Sequence, residues 1–277
     1  MNDSFFSQGA RLAFTDTGAG IPVVFLHPTP LDHRFWHPLI QQMAGIRAIV
    51  PDLRGHGSSE LGASLPVGGF TLVPDAPVLT MEQLAADTLA LLDRLAVTST
   101  IFVGCSIGGY VLLELWRRAP ERISGLAFVC SKPQPDADVN RARRAATIAQ
   151  ARTAGVNELF DGMAQSLVGA TARAQRPQIA TELRARMTLT PQALVAVQAG
   201  LATRPDSVPT VATIDAPVLA IAGGEDAHVT PAEMEAFLSA PGGCHFHQLP
   251  GAGHLAAYEQ PEKVAALLSD WLKEIAD

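Results

Sequence analysis

The chain has 277 residues, of which 48% are hydrophobic and 17% are charged. This composition is typical of a folded domain with a sizeable core and excludes a disordered chain. The formal net charge of −7 at pH 7 argues against a nucleic-acid-binding protein, as does the lack of a basic arm. The sequence has no apolar run of about 20 residues and no signal peptide, which predicts a cytoplasmic protein with no membrane partner. Three cysteines, an odd number, suit a reducing compartment.

Strand-like and helix-like segments alternate over the first hundred residues. Short apolar or β-branched runs predict strands over 11–15, 21–26 and 46–50. Helical periodicity predicts helices over 33–43 and 80–95, the second with Thr80 as its N-cap and Gln83 at the capping-box position. Residues 60–80 contain three prolines and three glycines without any period, which predicts an unusually long loop.

The most informative stretch is Gly104-Cys105-Ser106-Ile107-Gly108, between a predicted strand over 100–103 and a predicted helix over 107–116. It matches the G-x-S-x-G pattern of a nucleophile elbow. In such a turn the serine backbone is strained, and the flanking glycines let the strand and the helix pass closely. The helix N-terminus then offers backbone N–H groups beside the serine hydroxyl. A glycine-rich turn that carries an incidental serine is the alternative.

The chain between Ser131 and Thr213 has a different texture from the rest. No run in it resembles a strand, and its periodicity predicts helices over 138–154, 156–168, 172–189 and 191–203. Ten basic and six acidic residues make this insert net positive within a negative protein. Its arginines either form a solvated face or bind an anionic substrate.

Alternation of strands and helices surrounds this insert. A strand is predicted at 123–129 before it, and afterwards strands at 217–222 and 245–249 and helices at 231–238 and 261–275. The order predicts an α/β fold with a doubly wound, mostly parallel sheet. Residues 1–130 and 214–277 are expected to form the core domain, and residues 131–213 an inserted helical cap.

Three polar residues follow predicted strands at the edge of the sheet where ligands gather. Ser106, Asp226 and His254 each come after the carboxyl end of a strand. A serine hydroxyl needs an adjacent base, and that base needs a carboxylate to orient it. Glu225, Asp136 and Asp138 are rival candidates for the acid.

Several motifs together resemble the α/β-hydrolase superfamily over nearly the whole chain. They are the Asp16-Thr-Gly-x-Gly turn, Pro51-Asp-Leu-Arg-Gly-His-Gly-Ser58, the elbow, Gly223-x-x-Asp226-x-x-x-x-Pro231 and Pro250-Gly-Ala-Gly-His254. The chain order Ser, Asp, His is also that of this superfamily. Within it, the chain is similar to the branch of 3-oxoadipate enol-lactonase-like enzymes, cofactor-free haloperoxidases and carboxylesterases.

The resemblance implies a site without metal or organic cofactor. It assigns Ser106 as nucleophile, His254 as base and Asp226 as the acid, with the N–H groups of Ile107 and Thr29 as the oxyanion hole. Pro28 stands where the family usually has glycine, which leaves the Thr29 N–H in place but constrains the loop. The family pattern also implies a cis Thr29–Pro30 bond.

Further residues of these motifs have less specific roles. His27, Pro28 and Trp36 are candidate pocket residues, although core packing is an equal alternative for Trp36. Asp52 and Arg54 are expected to shape a turn, and Cys105 to pack inward.

These residues predict a serine hydrolase of the EC 3.1.1 class that cleaves a small carboxylic ester or lactone. Perhydrolysis of the haloperoxidase type, carbon–carbon bond hydrolysis of a diketone and acyl transfer use the same triad and stay open. A ligand-binding receptor on a hydrolase scaffold is a third reading. The partner expected is a small-molecule substrate. The sequence does not decide between a monomer and a homo-oligomer.

Overall fold

The fold is centred on one eight-stranded sheet in a computed structural model that describes residues 3–62 and 65–276. Its strands are β1 (Asp3–Ser7), β2 (Ala10–Gly18), β3 (Ile21–Leu26), β4 (Ile46–Pro51), β5 (Thr100–Cys105), β6 (Ile123–Val129), β7 (Val218–Gly223) and β8 (Cys244–Leu249). They lie in the order β1-β2-β4-β3-β5-β6-β7-β8. The pairs β1–β2 and β2–β4 are antiparallel, and all the others are parallel. The prediction of a doubly wound, mostly parallel sheet is confirmed.

Burial along the strands follows from their position in this sheet. Every residue of β5 and β7 is buried, because helices cover both faces of the central strands. At the edges, β1 and β8 keep exposed or half-exposed residues. Strand β1 was not predicted, because its five residues, Asp3 and two serines among them, form no apolar run. One of its two phenylalanines, Phe6, has a relative exposure of 79%.

The helices follow the strands as a doubly wound fold requires. They are α1 (His37–Ile40), α2 (Met81–Arg94), α3 (Ile107–Arg118), α4 (Asp138–Ala154), α5 (Asn157–Ser166), α6 (Ala170–Gln175), α7 (Ile179–Arg184), α8 (Pro191–Thr203), α9 (Val208–Val211), α10 (Pro231–Met234), α11 (Ala256–Glu259) and α12 (Pro261–Ala276). In the described residues, none of these helices has the length and apolar character that crossing a bilayer demands.

Six helices, α4 to α9, occupy the chain between β6 and β7, and α4 packs against α8. The single helix predicted over 172–189 is wrong, since the structure has α6 and α7 there. Pro177 explains the break: it forces Arg176 out of the helical region, to φ −133° and ψ 77°. The boundaries of a separate cap at 131–213 stay a prediction.

Two other predicted helices are shorter than expected. Over 33–43 the chain forms a 3₁₀ turn (His33–Trp36) before α1, and over 231–238 it forms α10 before a 3₁₀ turn (Glu235–Ser239). The N-cap of α2 agrees with the prediction, because Thr80 Oγ1 accepts a hydrogen bond from Gln83 N at 3.1 Å. The capping box does not form, since the Gln83 amide donates to Asp87 instead, at 3.2 Å.

Candidate active site

Ser106 sits on a strained turn between β5 and α3, with φ 53° and ψ −116°. Its glycine neighbours are required by close contacts. A Cβ on Gly104 would lie 2.5 Å from the Gly108 carbonyl carbon, and one on Gly108 would lie 2.2 Å from the Leu26 carbonyl oxygen. Cys105 packs inward as predicted, and burial raises the pKa of its thiol. The turn therefore selects Ser106, and not Cys105, as the group offered to a ligand.

A continuous hydrogen-bond chain connects Ser106, His254 and Asp226. The Ser106 hydroxyl lies 2.9 Å from His254 Nε2, and His254 Nδ1 lies 2.7 Å from Asp226 Oδ2. A carboxylate only accepts, so Nδ1 carries the proton and Nε2 is left to accept from the serine. This arrangement has the chemistry of a nucleophile, a general base and an orienting acid.

Asp226 is held ionised in a buried position. Burial alone would raise its pKa, but the neighbouring His254 and the N–H groups of His228 and Val229 together lower the pKa. Those N–H groups donate to Asp226 Oδ1 at 2.8 and 3.0 Å. Both carboxylate oxygens are therefore hydrogen-bonded, Oδ2 to the His254 imidazole and Oδ1 to the backbone that follows Asp226.

The rival acids have other partners. Glu225 accepts from Thr171 N at 2.9 Å, and Asp136 pairs with Arg144 and Arg204. Asp138 lies at the exposed start of α4. The structure brings only Asp226 of these four to the His254 ring.

The two candidate oxyanion donors come from different parts of the fold, the loop after β3 and the start of α3. In the described chain, neither Thr29 nor Ile107 uses its backbone N–H in a hydrogen bond, so both are free to donate. Thr29 lines the same cavity as Ser106, and Ile107 is the first residue of α3. The Thr29–Pro30 bond is cis, as predicted.

The Thr29 side chain is hydrogen-bonded to a buried histidine of the same region. Its hydroxyl donates to His56 Nε2 at 3.0 Å, while His56 Nδ1 donates to the Arg54 carbonyl, also at 3.0 Å. Burial lowers the pKa of His56 to about 3, so the ring stays neutral and can accept. The Thr29 hydroxyl therefore helps to fix the loop that carries the Thr29 N–H.

His27, Pro28 and Trp36 do not line the cavity around Ser106. His27 is fully buried, accepting from Leu53 N at 2.9 Å through Nε2 and donating to the Pro28 carbonyl through Nδ1. Trp36 is also fully buried, against Phe25 and Phe35. Their nearness to Thr29 in the sequence suggested the pocket, but the loop turns these side chains toward the core.

The cavity beside Ser106 and His254 has a volume of about 510 Å³. Helices and loops of the insert contribute many of its charged and polar walls, which sequence reasoning had not placed there: Lys132, Asp136, Asn140, Arg143, Arg144 and Gln198. The net positive charge of residues 131–213 is the sequence feature that indicated basic side chains near the site. Which of its arginines face inward depends on long-range packing.

One buried carboxylate ties the insert to the loop of His254. Glu259 accepts from Gly169 N and Gly253 N, both at 2.9 Å, and from Leu255 N at 3.1 Å. Burial raises the pKa of Glu259, although these three donors work in the opposite direction. The His254 N–H also donates to the Leu167 carbonyl at 2.9 Å.

One group of ligand-type side chains in the described residues lies outside this site. Asp32, His33 and Asp52 bring their ligand atoms within 4.8 Å of one another. Their polar atoms are already engaged, because Asp32 pairs with Arg34 and Asp52 accepts from His33. We therefore assign this group to loop structure.

With its fold and site in view, the chain can be compared with known proteins. A family model described as the alpha/beta hydrolase family matches residues 23–267, so the chain belongs to that family. Among individual relatives, it is 30% identical to BpoC from Mycobacterium tuberculosis, provisionally named a non-heme bromoperoxidase, over 92% of this chain and 94% of that protein.

Solved structures give the same result. A thermophilic esterase from Thermogutta terrifontis is 29% identical, with a TM-score of 0.89 and 99% of each chain covered. The enol-lactonase from Burkholderia xenovorans LB400 has a TM-score of 0.86 at 23% identity, over 98% of this chain and 100% of that one. At that identity the likeness shows the fold alone. These relatives span the esterase, lactonase and haloperoxidase branches.

Proposed function

We propose that this protein is a serine hydrolase that cleaves small carboxylic esters or lactones through an acyl-enzyme on Ser106. The observation that carries the proposal is the chain of hydrogen bonds from Ser106 through His254 to Asp226, at 2.9 and 2.7 Å, beside a cavity of about 510 Å³. The esterase at 29% identity supports the same class of reaction. The free cysteines agree with a cytoplasmic location, which is part of this proposal.

The reaction follows the ordinary course of acyl transfer. His254 Nε2 takes the Ser106 proton as Oγ attacks the ester carbonyl, and the oxyanion accepts from the Thr29 and Ile107 N–H groups. The imidazolium then protonates the alkoxide leaving group as the ester C–O bond breaks. A water molecule, deprotonated by His254, attacks the acyl-enzyme and releases the carboxylic acid and free Ser106.

The test is labelling with a fluorophosphonate, followed by intact mass and peptide mapping. Wild-type protein is expected to gain one label, on Ser106, and Ser106→Ala to gain none. Ser106→Ala and His254→Ala are each expected to lower kcat on p-nitrophenyl acetate by at least about 10⁴-fold. Ser239→Ala, an exposed serine on a 3₁₀ turn, is the matched control and keeps full labelling. Folded wild-type protein that takes no label would overturn the proposal.

Perhydrolysis is a second candidate, favoured by the 30% identity to BpoC. Here hydrogen peroxide attacks the same acyl-enzyme in place of water and releases a peracid. The two reactions share the first half and differ in the second nucleophile. Peracid formation from acetate esters in peroxide, measured beside acid release in water, separates them. The same assay panel with lactones and a diketone distinguishes ester, lactone and carbon–carbon bond cleavage.

A further inference from the structure

The cavity that holds Ser106 carries more positive than negative side chains. Lys132, Arg143 and Arg144 line it, together with the carboxylates Asp136 and Glu233. The positive excess at this cavity contrasts with the formal net charge of −7 of the whole chain. Each cation therefore has to be examined for the partner that balances it.

Lys132 is balanced within the protein. Its ammonium group forms an ion pair with the Glu233 carboxylate, which Thr230 also contacts. Burial works to raise the pKa of Glu233, but the Lys132 ammonium and the Thr230 N–H lower it, so the carboxylate stays ionised. This pair leaves no charge for a ligand.

Arg144 belongs to a cluster with an excess of positive charge. A single carboxylate, Asp136, pairs with both Arg144 and Arg204, and the side chains of Asp136 and Arg204 are only 2% and 3% exposed. One negative charge thus faces two guanidinium groups in a poorly solvated position. The cluster carries a net charge of +1.

The same contacts fix Arg144 in place. Its Nε and Nη2 donate to Asp136, and its Nη1 donates to Gln198 Oε1 at 2.9 Å. A guanidinium has five N–H donors, so two of those on Arg144 have no partner in these bonds. They belong to a group that is 20% exposed and lines the cavity. A held guanidinium with spare donors suits an anionic partner.

Arg143 adds a second unbalanced charge. It is exposed, it lines the same cavity, and among residues 3–62 and 65–276 it forms no ion pair. It precedes Arg144 on α4, and both side chains line the same cavity. Among the residues that line the cavity, three cations stand against two carboxylates, an excess of one positive charge. Arg204 and Asp226, which do not line it, add one charge of each sign.

We propose that the substrate is an ester or lactone that carries a carboxylate away from the scissile bond, and that Arg144 and Arg143 bind this carboxylate. The inference rests on the proposed function, since Ser106 performs the cleavage. Arg144 supplies hydrogen bonds of fixed direction, while Arg143 supplies charge at the exposed side. Asp136, Arg204 and Gln198 act as positioning residues for Arg144.

The experiment compares two esters that differ only in this group. One is the mono-p-nitrophenyl ester of glutaric acid, and the other is its neutral isostere with a terminal carboxamide. The wild-type protein is expected to favour the anionic ester in kcat/KM by at least about tenfold, the effect of one charged hydrogen bond. The ratio is expected to fall as salt is raised, since Arg143 is exposed.

Three variants locate the effect. Arg144→Gln and Arg143→Gln are expected to lower the ratio of the two kcat/KM values, mainly through KM of the anionic ester. Arg204 still pairs with Asp136 in Arg144→Gln, so this variant is expected to fold, and its melting temperature checks that. Arg152→Gln is the matched control: it removes the same charge from α4, but Arg152 pairs with Asp75 and does not line the cavity. It keeps the wild-type ratio.

The outcomes separate the two proposals. Turnover of both esters with a ratio near one, or a ratio that neither arginine variant lowers, overturns the carboxylate inference and leaves the serine hydrolase intact. Failure of fluorophosphonate labelling overturns the hydrolase. In that case glutarate binding, measured by calorimetry on wild type and Arg144→Gln, still tests the anion site. Equal affinity of the two proteins for glutarate contradicts it.

Discussion

Asp52 connects the 3₁₀ turn that begins at His33 to the turn at Ser58. Its Oδ1 accepts from the His33 N–H at 2.8 Å and from His33 Nδ1 at 2.7 Å, and its Oδ2 accepts from Ser58 N at 2.8 Å. Burial opposes ionisation, but these donors and the nearby His27 lower its pKa to about 2. The predicted role of Asp52 in a turn is therefore confirmed at the level of single atoms.

This low pKa predicts a specific loss of stability in acid. A carboxyl group whose pKa is lower in the folded protein stabilises the fold above its unfolded pKa of about 3.9. That contribution is lost as pH falls through the folded pKa of about 2. The loss amounts to about 2 kcal/mol. Urea unfolding between pH 5 and pH 2 measures it.

Asp52→Asn is the matching variant for this titration. It is expected to be less stable than wild type at pH 5, because asparagine accepts fewer of these hydrogen bonds. The difference between the two proteins is expected to shrink by about 2 kcal/mol toward pH 2. A difference that stays constant over this range would show that Asp52 does not titrate with a lowered pKa.

At the scale of elements, the elbow depends on close contact between α3 and β3. A Cβ on Gly108 would lie 2.2 Å from the Leu26 carbonyl oxygen, which is backbone and cannot rotate away. We therefore expect Gly108→Ala to lower the free energy of unfolding by about 1–3 kcal/mol. It is also expected to slow fluorophosphonate labelling of Ser106, since the turn must shift. Denaturant unfolding and labelling rates measure the two effects.

Gly162 provides the control for that substitution. It lies within α5, and a Cβ there would have no heavy atom within 4 Å. Alanine at this position is expected to raise the free energy of unfolding by about 0.5–1 kcal/mol, because it restricts the unfolded chain. If both alanine variants behave alike, the close approach of α3 to β3 is not what requires glycine at the elbow.

Local sequence signals predicted the elements whose formation is local. The strand, turn and helix around Ser106 are readable because glycine spacing and strain act within a few residues. The break at Pro177 also has a local cause, since proline disfavours a helical residue before it, but the helical periodicity of 172–189 continues across it. The arrangement of the elements relative to one another depends on tertiary packing. The orientation of α4 against α8, and so the inward arginines Arg143 and Arg144, depends on contacts distant in sequence.

The same division holds for the candidate site. Asp226 and His254 were predictable because parallel strands bring their carboxyl ends to one edge. The buried position of Trp36 was not predictable, because no residue near it in the sequence indicates whether the chain after Pro30 turns to the cavity or to the core. Glu259 was also missed, because its three donors come from two segments far apart in the chain, at Gly169 and at 253–255.

At the scale of the whole molecule, the chain between β6 and β7 is hydrogen-bonded to the loop that carries His254, where the His254 N–H donates to the Leu167 carbonyl. Gly253 approaches Gly169 so closely that a Cβ on it would lie 2.3 Å from the Gly169 nitrogen. The carboxylate of Glu259 accepts from both of these residues at once. The position of His254 is thus linked to the position of the insert that forms much of the cavity wall.

This link predicts a combined effect on stability and on Ser106. Glu259→Ala leaves the three buried N–H groups without an acceptor, which is expected to cost about 1–3 kcal/mol of unfolding free energy for each donor that stays unsatisfied. Amide exchange is expected to accelerate at Gly169, Gly253 and Leu255 together. Fluorophosphonate labelling of Ser106 is expected to slow by about tenfold or more, because a displaced His254 no longer activates the hydroxyl.

Glu262→Ala is the control, since Glu262 is exposed and near in sequence at the start of α12. Its effect on stability is expected to stay within about 0.5 kcal/mol, and labelling is expected to be unchanged. Faster exchange at Gly169 alone, with labelling as fast as in wild type, would contradict the link. It would mean that Glu259 holds the chain at Gly169 in place without setting the position of His254.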